Sequence, residues 1–169
     1  TNTDSNSFFT SIARSGGHYI NNKIFGSLQT TGGGENGAIV PSLSGGLNGN
    51  GVVINQNSMI GSIQTNSSGN GGIVGESSSK THIKRNFNYA NLNVGGNSGG
   101  ILGQSSSPSG AYITDIIEQN ASFGNVTVTS GNSGGIVGNG HTADILKNYY
   151  NGTISFSTIR AGGIVGYNY

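Results

Sequence analysis

A five-residue segment, Gly-Gly-Ile-Val-Gly, recurs along the chain and constrains its fold more strongly than any other feature. Copies or near copies begin at Gly71, Gly99, Gly134 and Gly162, and a degenerate copy, Gly-Ala-Ile-Val-Pro, begins at Gly37. The isoleucines at their centres are 34, 28, 35 and 28 residues apart. Periods of roughly 20–50 residues are the sequence signature of solenoids and repeat arrays. The segment therefore predicts a stack of five repeats rather than a globule built around one wide core.

A second pattern, Ile-x-x-Asn, lies upstream of each copy, in a weaker form in the first repeat. Its asparagines occur once per repeat and are Asn22, Asn57, Asn86, Asn120 and Asn148. A glycine or alanine follows four residues later, and the next residues alternate with the period of a β-strand, so we expect about three short strands per repeat. We expect these asparagines to hydrogen-bond from one repeat to the next, as stacked amides do. A row of ligand-binding amides would show the same spacing.

These patterns predict the all-β class and, within it, a β-solenoid of about five coils with short strands and glycine-rich corners. The solenoid is expected to span residues 18–169. Because the chain stops directly after the fifth copy, we expect a fragment of a longer array. Insertions after the first and third copies, Ser42 to Gly51 and Gln104 to Gly110, predict projecting loops on alternate coils.

Residues 1–17 lack the repeat and are expected to be an N-terminal cap or linker. Solenoids need a cap, since an uncovered terminal coil exposes unpaired backbone groups. Phe8, Phe9 and Ile12 are the apolar residues expected to cover that end.

Composition limits the classes of partner. Only 8% of residues are charged and the formal net charge is +1, which gives no electrostatic basis for binding nucleic acid or an anionic membrane. The absence of cysteine excludes disulfides and thiolate metal sites, and no apolar run is long enough to span a membrane. Apolar residues, at 32%, suffice for a narrow core.

The repeated pattern resembles the GLUG-motif repeats of bacterial surface adhesins and of the non-catalytic region of immunoglobulin A metallopeptidases. The resemblance lies in Asn-x-x-x-Gly-x-aliphatic-x-aliphatic followed by Gly-Gly-Ile-Val-Gly. It is best from Asn120 to Gly138 and from Asn148 to Gly166, good from Asn57 to Gly75 and from Asn86 to Gly103, and poor from Asn22 to Pro41. It implies an extracellular or cell-surface repeat segment. The His-Glu-x-x-His zinc signature of the peptidases is absent, so no catalytic residue is implied.

The outward positions of the second predicted strand form a polar, uncharged face. The candidate binding residues are Gln29, Gln64, Asn93, Thr127 and Ser155, with Tyr149 and Tyr150 beside them. This face is either a solvated surface or a platform for a host or matrix glycan or protein. The other aromatic residues that follow the asparagines, Phe87, Tyr89 and Phe123, are expected to pack inward or at corners, whereas an exposed Tyr149 and Tyr150 pair could stack on a sugar.

Catalysis has little support in the sequence. Six acidic residues and three histidines are scattered over different positions of the repeat. Asp115 and Asp144 come closest to a carboxylate pair of the kind that sugar-cleaving enzymes use, but they are better explained as charges that protect strand edges. We therefore expect no enzymatic activity, no cofactor and no metal.

The sequence thus predicts a non-catalytic extracellular segment of a bacterial surface adhesin or stalk. Three alternatives remain open: a structural subunit that self-associates end to end into filaments, a polysaccharide-degrading β-helix enzyme, and an ice-binding protein.

Overall fold

The computed structural model describes residues 7–9, 13–14, 16–31, 33–44, 51–78, 80–106, 114–141, 143–157 and 160–168. These residues form 24 β-strands and contain no helix. All strand pairs are parallel, each joining one repeat to the next, apart from β1 (Ala13–Arg14), which precedes the first repeat. The predicted all-β class is confirmed.

Each repeat contributes four or five short strands. The first repeat contains β2 (His18–Ile20), β3 (Lys23–Gln29), β4 (Asn36–Gly37) and β5 (Val40–Ser44). The second contains β6 (Val52–Asn55), β7 (Ser58–Gln64), β8 (Asn70–Gly71) and β9 (Val74–Ser77). The third contains β10 (Thr81–Lys84), β11 (Phe87–Asn88), β12 (Asn91–Val94), β13 (Ser98–Gly99) and β14 (Leu102–Ser105). The fourth contains β15 (Asp115–Glu118), β16 (Ala121–Ser122), β17 (Val126–Val128), β18 (Asn132–Gly134) and β19 (Val137–Gly140). The fifth contains β20 (Ala143–Leu146), β21 (Tyr149–Tyr150), β22 (Ile154–Phe156), β23 (Arg160–Gly162) and β24 (Val165–Asn168).

Equivalent strands of the repeats assemble into four parallel sheets, which the chain enters in the same order in every repeat. Sheet I has the strand order β2-β6-β10-β15-β20. Sheet II contains β3, β7 and then the pairs β11 and β12, β16 and β17, and β21 and β22. Sheet III has the order β4-β8-β13-β18-β23, and sheet IV has the order β1-β5-β9-β14-β19-β24. Each sheet therefore carries one segment from every repeat.

The register of the sheets follows the repeat alignment seen in the sequence. In sheet I, Ile54 pairs with Ile83, Ile83 with Ile117, and Ile117 with Ile145. At the marker segment, the isoleucine backbone N–H groups donate to the isoleucine carbonyl of the next repeat at 3.0 to 3.2 Å, through Ile39, Ile73, Ile101, Ile136 and Ile164. Residues about thirty positions apart in sequence therefore become direct neighbours.

The core is a narrow row of aliphatic side chains between the sheets. Four of the marker isoleucines are fully buried, at 0% exposure, together with the aliphatic residue that follows each of them. Sheet I adds Val52, Ile54, Ile83 and Ile117, and sheet II adds Met59, Ile63, Leu92, Val126 and Val128. Burial of a side chain of this size stabilises the folded state by roughly 1.5–3 kcal/mol. One or two such residues per strand are sufficient for this architecture.

The prediction of about three strands per repeat was too low. The marker segment supplies two strands, one in sheet III and one in sheet IV, separated by a bend at its centre. The strands of sheet III are mostly two residues long and end in glycine. Such strands carry no side-chain alternation, so the sequence pattern does not reveal them.

The N-terminal segment lies against the first repeat. Strand β1 pairs with β5, the Phe8 N–H donates to the Ala38 carbonyl at 3.2 Å, and the Phe9 and Tyr19 rings meet edge to face at 6.0 Å. Residues 1–6, 10–12 and 15, which include Ile12, lie outside the described residues.

The predicted projecting loops also lie mostly outside the described residues, at 45–50 in the first loop and 107–110 in the second. Their first residues belong instead to strands, because β5 extends to Ser44 and β14 extends to Ser105.

Candidate binding face

The repeated asparagines form a hydrogen-bonded column at the corner between sheets I and II. The Asn86 amide Nδ2 donates to Asn120 Oδ1 at 3.0 Å and to the Ile54 carbonyl at 2.9 Å, and the Asn86 backbone N–H donates to the same Oδ1 at 2.9 Å. Asn57 makes the equivalent bonds to Asn86 Oδ1. The column begins at Asn22 and ends at Asn148. Its three central members have at most 1% exposure. The bonds of these amides are therefore made within the stack.

The residue before each asparagine adopts a left-handed backbone conformation. These residues are Asn21, Gln56, Arg85, Gln119 and Lys147, with φ between 53° and 58°. Residues other than glycine adopt this conformation at a steric cost, of order 1 kcal/mol each. It turns the chain from sheet I into sheet II, so that the next residue presents its amide to the column. Nothing in the identity of these five residues indicates this turn.

The outward surface of sheet II carries the candidate binding residues. One row, the outer polar row, runs in register through all five repeats. It consists of Gln29, Gln64, Asn93, Thr127 and Ser155, all exposed. Within the part of the chain that the structure describes, no hydrogen bond of these side chains to another protein group is found. Their amide and hydroxyl groups are thus available to a ligand.

A second row, the inner polar row, lies two residues earlier on each strand and is partly internally bonded. It consists of Ser27, Ser62, Asn91, Asn125 and Thr153. Ser62 Oγ lies 2.9 Å from Ser27 Oγ, and the Asn91 and Asn125 side-chain oxygens accept backbone N–H groups of the following repeat at 2.9 Å. These bonds join neighbouring repeats across the face, and among the described residues the NH₂ groups of Asn91 and Asn125 have no protein partner.

An apolar patch borders the two polar rows on the same sheet. Its members are large, exposed side chains, one or two from each repeat: Phe25, Ile60, Phe87, Tyr89, Phe123 and Tyr149. The Tyr89 and Phe123 rings are stacked, with centroids 5.0 Å apart and planes 9° apart. The Tyr149 ring lies 5.8 Å from Phe123 at an interplanar angle of 53°. We call the apolar patch and the two polar rows together the sheet II face.

The exposure of Phe87, Tyr89 and Phe123 contradicts the expectation that they are packed inward or at corners. Tyr89 is 48% exposed and Phe123 is 37% exposed. The signal that identifies them was present in the sequence, because they lie an even number of residues before the outward polar positions of the same repeat. Side chains two residues apart on a strand share one face. The same rule separates Tyr149 from Tyr150.

Tyr150 does not join the sheet II face, although we predicted it as a binding residue. As the neighbour of exposed Tyr149 on β21, it points to the opposite side of the strand, where it packs against the core. Its ring lies beside Gly135, where a Cβ would approach Tyr150 Cγ to 2.2 Å. Burial raises the pKa of the Tyr150 hydroxyl. Tyr150 is therefore part of the packing and not of the ligand-accessible surface.

Asp115 is a buried carboxylate rather than a charge at an exposed strand edge. It is 2% exposed and lies at the start of β15. Its Oδ1 accepts hydrogen bonds from Ser77 Oγ and the Thr81 N–H, both at 3.0 Å, and its Oδ2 accepts one from Ser105 Oγ at 2.5 Å. Desolvation raises the pKa of Asp115 to about 6, although these hydrogen bonds oppose the rise.

This carboxylate predicts a pH dependence of stability. Because the pKa of Asp115 is higher in the folded chain than its ordinary value of 3.8, the folded state binds more protons between about pH 4 and 6. Stability should therefore be greatest below pH 4 and should fall as the pH rises to 6, by about 3 kcal/mol at 1.4 kcal/mol per pKa unit. Glu76, whose pKa is also raised by burial, acts in the same direction.

Urea unfolding of the parent chain and of Asp115→Asn at pH 4, 5, 6 and 7 measures this contribution, since Glu76 is common to both proteins. We expect the difference between their unfolding free energies to change by about 2 kcal/mol across the series, in favour of the variant at high pH, because part of the effect is already present at pH 4. A difference that stays constant with pH would show that folding does not raise the pKa of Asp115.

Asp115 and Asp144 do not form a catalytic pair. Asp144 pairs in register with Ile116 and is exposed, whereas Asp115 is buried and one position earlier, so the two side chains lie on opposite sides of sheet I. Within the described ranges, no group of three or more His, Asp or Glu side chains is placed to hold a metal ion. Asp115 and Asp144 therefore do not assemble into an acid–base pair.

Comparison with known proteins found no relative of this chain. No protein family, curated protein or solved structure matches this chain. Across the described residues, the structure contains no helix with the length and hydrophobicity needed to cross a membrane.

Proposed function

We propose that residues 18–169 form a β-solenoid in which each repeat is one coil. The support is that the chain enters the four sheets in the same order in every repeat and pairs only with neighbouring repeats. The asparagine column and the marker isoleucines then run the length of the coil stack. The solenoid is the scaffold that turns scattered positions of the sequence into one flat face.

On this scaffold the chain functions as a non-catalytic extracellular repeat segment of a bacterial surface adhesin or stalk, binding a glycan or a protein through the sheet II face. The observation that carries this function is the composition of the face. Six of the eleven large exposed apolar side chains of the described residues lie in its apolar patch. The resemblance of the repeats to GLUG-motif repeats supports the location outside the cell.

A merely solvated surface would have a different composition. Charged residues are scarce throughout this chain, at 8%, so the feature that distinguishes the face is its apolar patch, since exposed apolar side chains are usually scattered. Among the strands of sheet II, only β3 carries a charged residue, Lys23, at its first position. A contiguous apolar patch beside unbonded amides and hydroxyls is typical of an interaction site.

Introducing charge into the face tests this function. Glycan and host-protein arrays are probed with the parent chain, with Asn93→Glu/Thr127→Glu, and with the control Gln56→Glu/Gln119→Glu, which places the same two charges at exposed corner positions outside the face. We expect an array ligand whose dissociation constant rises at least about tenfold in the double variant and is unchanged in the control. Binding that survives the double variant, or no ligand of either class, would contradict the proposal.

A further inference from the structure

We propose that the ligand of the sheet II face is a neutral polysaccharide strand that lies along the apolar patch, parallel to the direction in which the repeats stack. This inference rests on the proposed binding function and specifies its ligand. The evidence lies in the shape, the charge and the size of the face.

The patch is elongated along the direction in which the repeats stack and turns aside at its last member. Phe25 and Ile60 are paired in register, and the Tyr89 and Phe123 rings are stacked. Tyr149 of the fifth repeat is in register with Ala121 and lies diagonally beside Phe123, at 5.8 Å. At one strand spacing of about 4.8 Å per repeat, the patch is about 19 Å long. A ligand that contacts all of it must itself be extended, with an apolar surface repeated along its length.

The chemistry of the two sides of the face matches a sugar chain. Pyranose rings present C–H groups on their faces and hydroxyl groups around their edges. The C–H groups can pack on the exposed rings of Phe25 and Tyr149, which are 70% and 54% exposed. Hydroxyl groups can exchange hydrogen bonds with the amides of Gln64 and Asn93, which both donate and accept. The Tyr149 ring is tilted by 53° relative to Phe123, so it is not part of the parallel stack of Tyr89 and Phe123.

The charge of the face favours a neutral ligand over an anionic one. The two polar rows and the apolar patch contain no charged residue, and Lys23 lies at the margin of the first repeat. An anionic polysaccharide would lose hydration of its carboxylates or sulfates without gaining a row of cations in exchange.

The size of the face argues against a second copy of the chain as its occupant. Seven residues along the strands and five repeats across them give a flat area of roughly 20 Å by 20 Å, or about 400 Å². Stable protein–protein interfaces bury about 800 Å² on each partner. A slender chain that uses the whole length of the patch does not need that area.

Affinity electrophoresis of the parent chain in gels containing neutral polysaccharides (xyloglucan, mannan or dextran) or anionic ones (hyaluronan or polygalacturonate) tests the class of ligand. We expect retardation by at least one neutral polymer and by neither anionic one. For the neutral polymer, calorimetry with its hexasaccharide should detect binding, and its disaccharide, too short to span the patch, should bind much more weakly.

Two variants at opposite ends of the patch test the position of the ligand. Phe25→Ala and Tyr149→Ala should each weaken hexasaccharide binding about five- to tenfold, as expected for loss of one aromatic contact. The matched control is Phe156→Ala, which removes an aromatic residue that is 55% exposed but lies outside the patch. Equal melting temperatures of the three variants would show that folding is not the cause.

The outcomes separate this inference from the proposed function. Binding only to anionic polymers, or to a protein ligand that is lost in Asn93→Glu/Thr127→Glu, would overturn the neutral polysaccharide and leave the binding function standing. A dimer in light scattering that Phe25→Ala dissociates would replace the polysaccharide by a second copy. Absence of any ligand would overturn both proposals.

Discussion

Replacing Asn86 by alanine is expected to lower the free energy of unfolding by about 4 kcal/mol, because it breaks the asparagine column at its centre. The Asn57 backbone N–H and side-chain NH₂ both donate to Asn86 Oδ1, at 2.9 and 3.0 Å, and Asn57 is fully buried. Each buried donor left without a partner costs about 1–3 kcal/mol. The Ile54 carbonyl and Asn120 Oδ1 also each lose a donor. Urea denaturation monitored by circular dichroism measures the loss.

Asn22→Ala is the matched control at the end of the same column. The Asn22 side chain donates one bond, to Asn57 Oδ1 at 2.8 Å, and Asn22 is half-buried. Its loss should cost no more than about 1 kcal/mol. If Asn86→Ala were as mild as Asn22→Ala, the column would not contribute to the stability of the stack.

Adding one methyl group at Gly135 is expected to lower the free energy of unfolding by about 3 kcal/mol, through overpacking. A Cβ at this position would lie 2.2 Å from the Gly163 carbonyl oxygen of the next repeat and 2.2 Å from Tyr150 Cγ. Heavy atoms cannot approach this closely. Either the ring and the fifth repeat move away, with loss of the Gly135 N–H bond to the Gly162 carbonyl, or the repeat detaches. Thermal unfolding of Gly135→Ala measures the effect.

Gly163→Ala is the control, because Gly163 occupies the same position of the marker segment in the fifth repeat. A Cβ there meets no atom within 4 Å. The backbone of neither glycine is left-handed, so the two substitutions differ only in what lies next to them. The melting temperature of Gly163→Ala should be close to that of the parent. Equal destabilisation in both variants would show that the close approach of repeats at Gly135 is absent.

The order and register of the repeats could be predicted from the sequence because the residues that point into the core are constrained in every repeat. Each asparagine of the column and each marker isoleucine contacts the equivalent residue of the repeats before and after it. Residues that recur at the same position of the repeat are therefore neighbours in the structure. Ile83, for example, pairs with Ile54 on one side and Ile117 on the other, as the alignment of the Ile-x-x-Asn segments indicates.

Features that depend on the backbone alone could not be predicted in this way. The left-handed turn at Gln56, Arg85 and Lys147 accepts unrelated side chains, since those side chains point to solvent and only the backbone is constrained. The two-residue strands of sheet III are defined by hydrogen bonds of glycine-containing segments. Neither feature leaves a side-chain pattern.

The candidate site could be predicted from the sequence only in part. The outer polar row could be predicted, because its residues alternate with buried aliphatic ones. The apolar patch was missed, because aromatic residues are usually buried and the alternation of Tyr89 and Phe123 with the outward positions was not weighed against that tendency. The burial of Asp115 was missed for a related reason. A carboxylate is rarely buried unless other groups donate hydrogen bonds to it. The donors Ser77 and Ser105 belong to other repeats, so they are not apparent from the sequence around Asp115.

The central claim is that five repeats stack in register, so that residues far apart in sequence share the sheet II face. Pulsed electron paramagnetic resonance between spin labels at Gln29→Cys and Ser155→Cys tests it most directly, and the absence of native cysteine makes the labelling specific. These positions are the two ends of the outer polar row, four strand spacings apart. We predict a narrow distance distribution centred at about 19 Å, widened by the label linkers. A broad distribution centred beyond about 40 Å would contradict the stack, and with it the existence of the face.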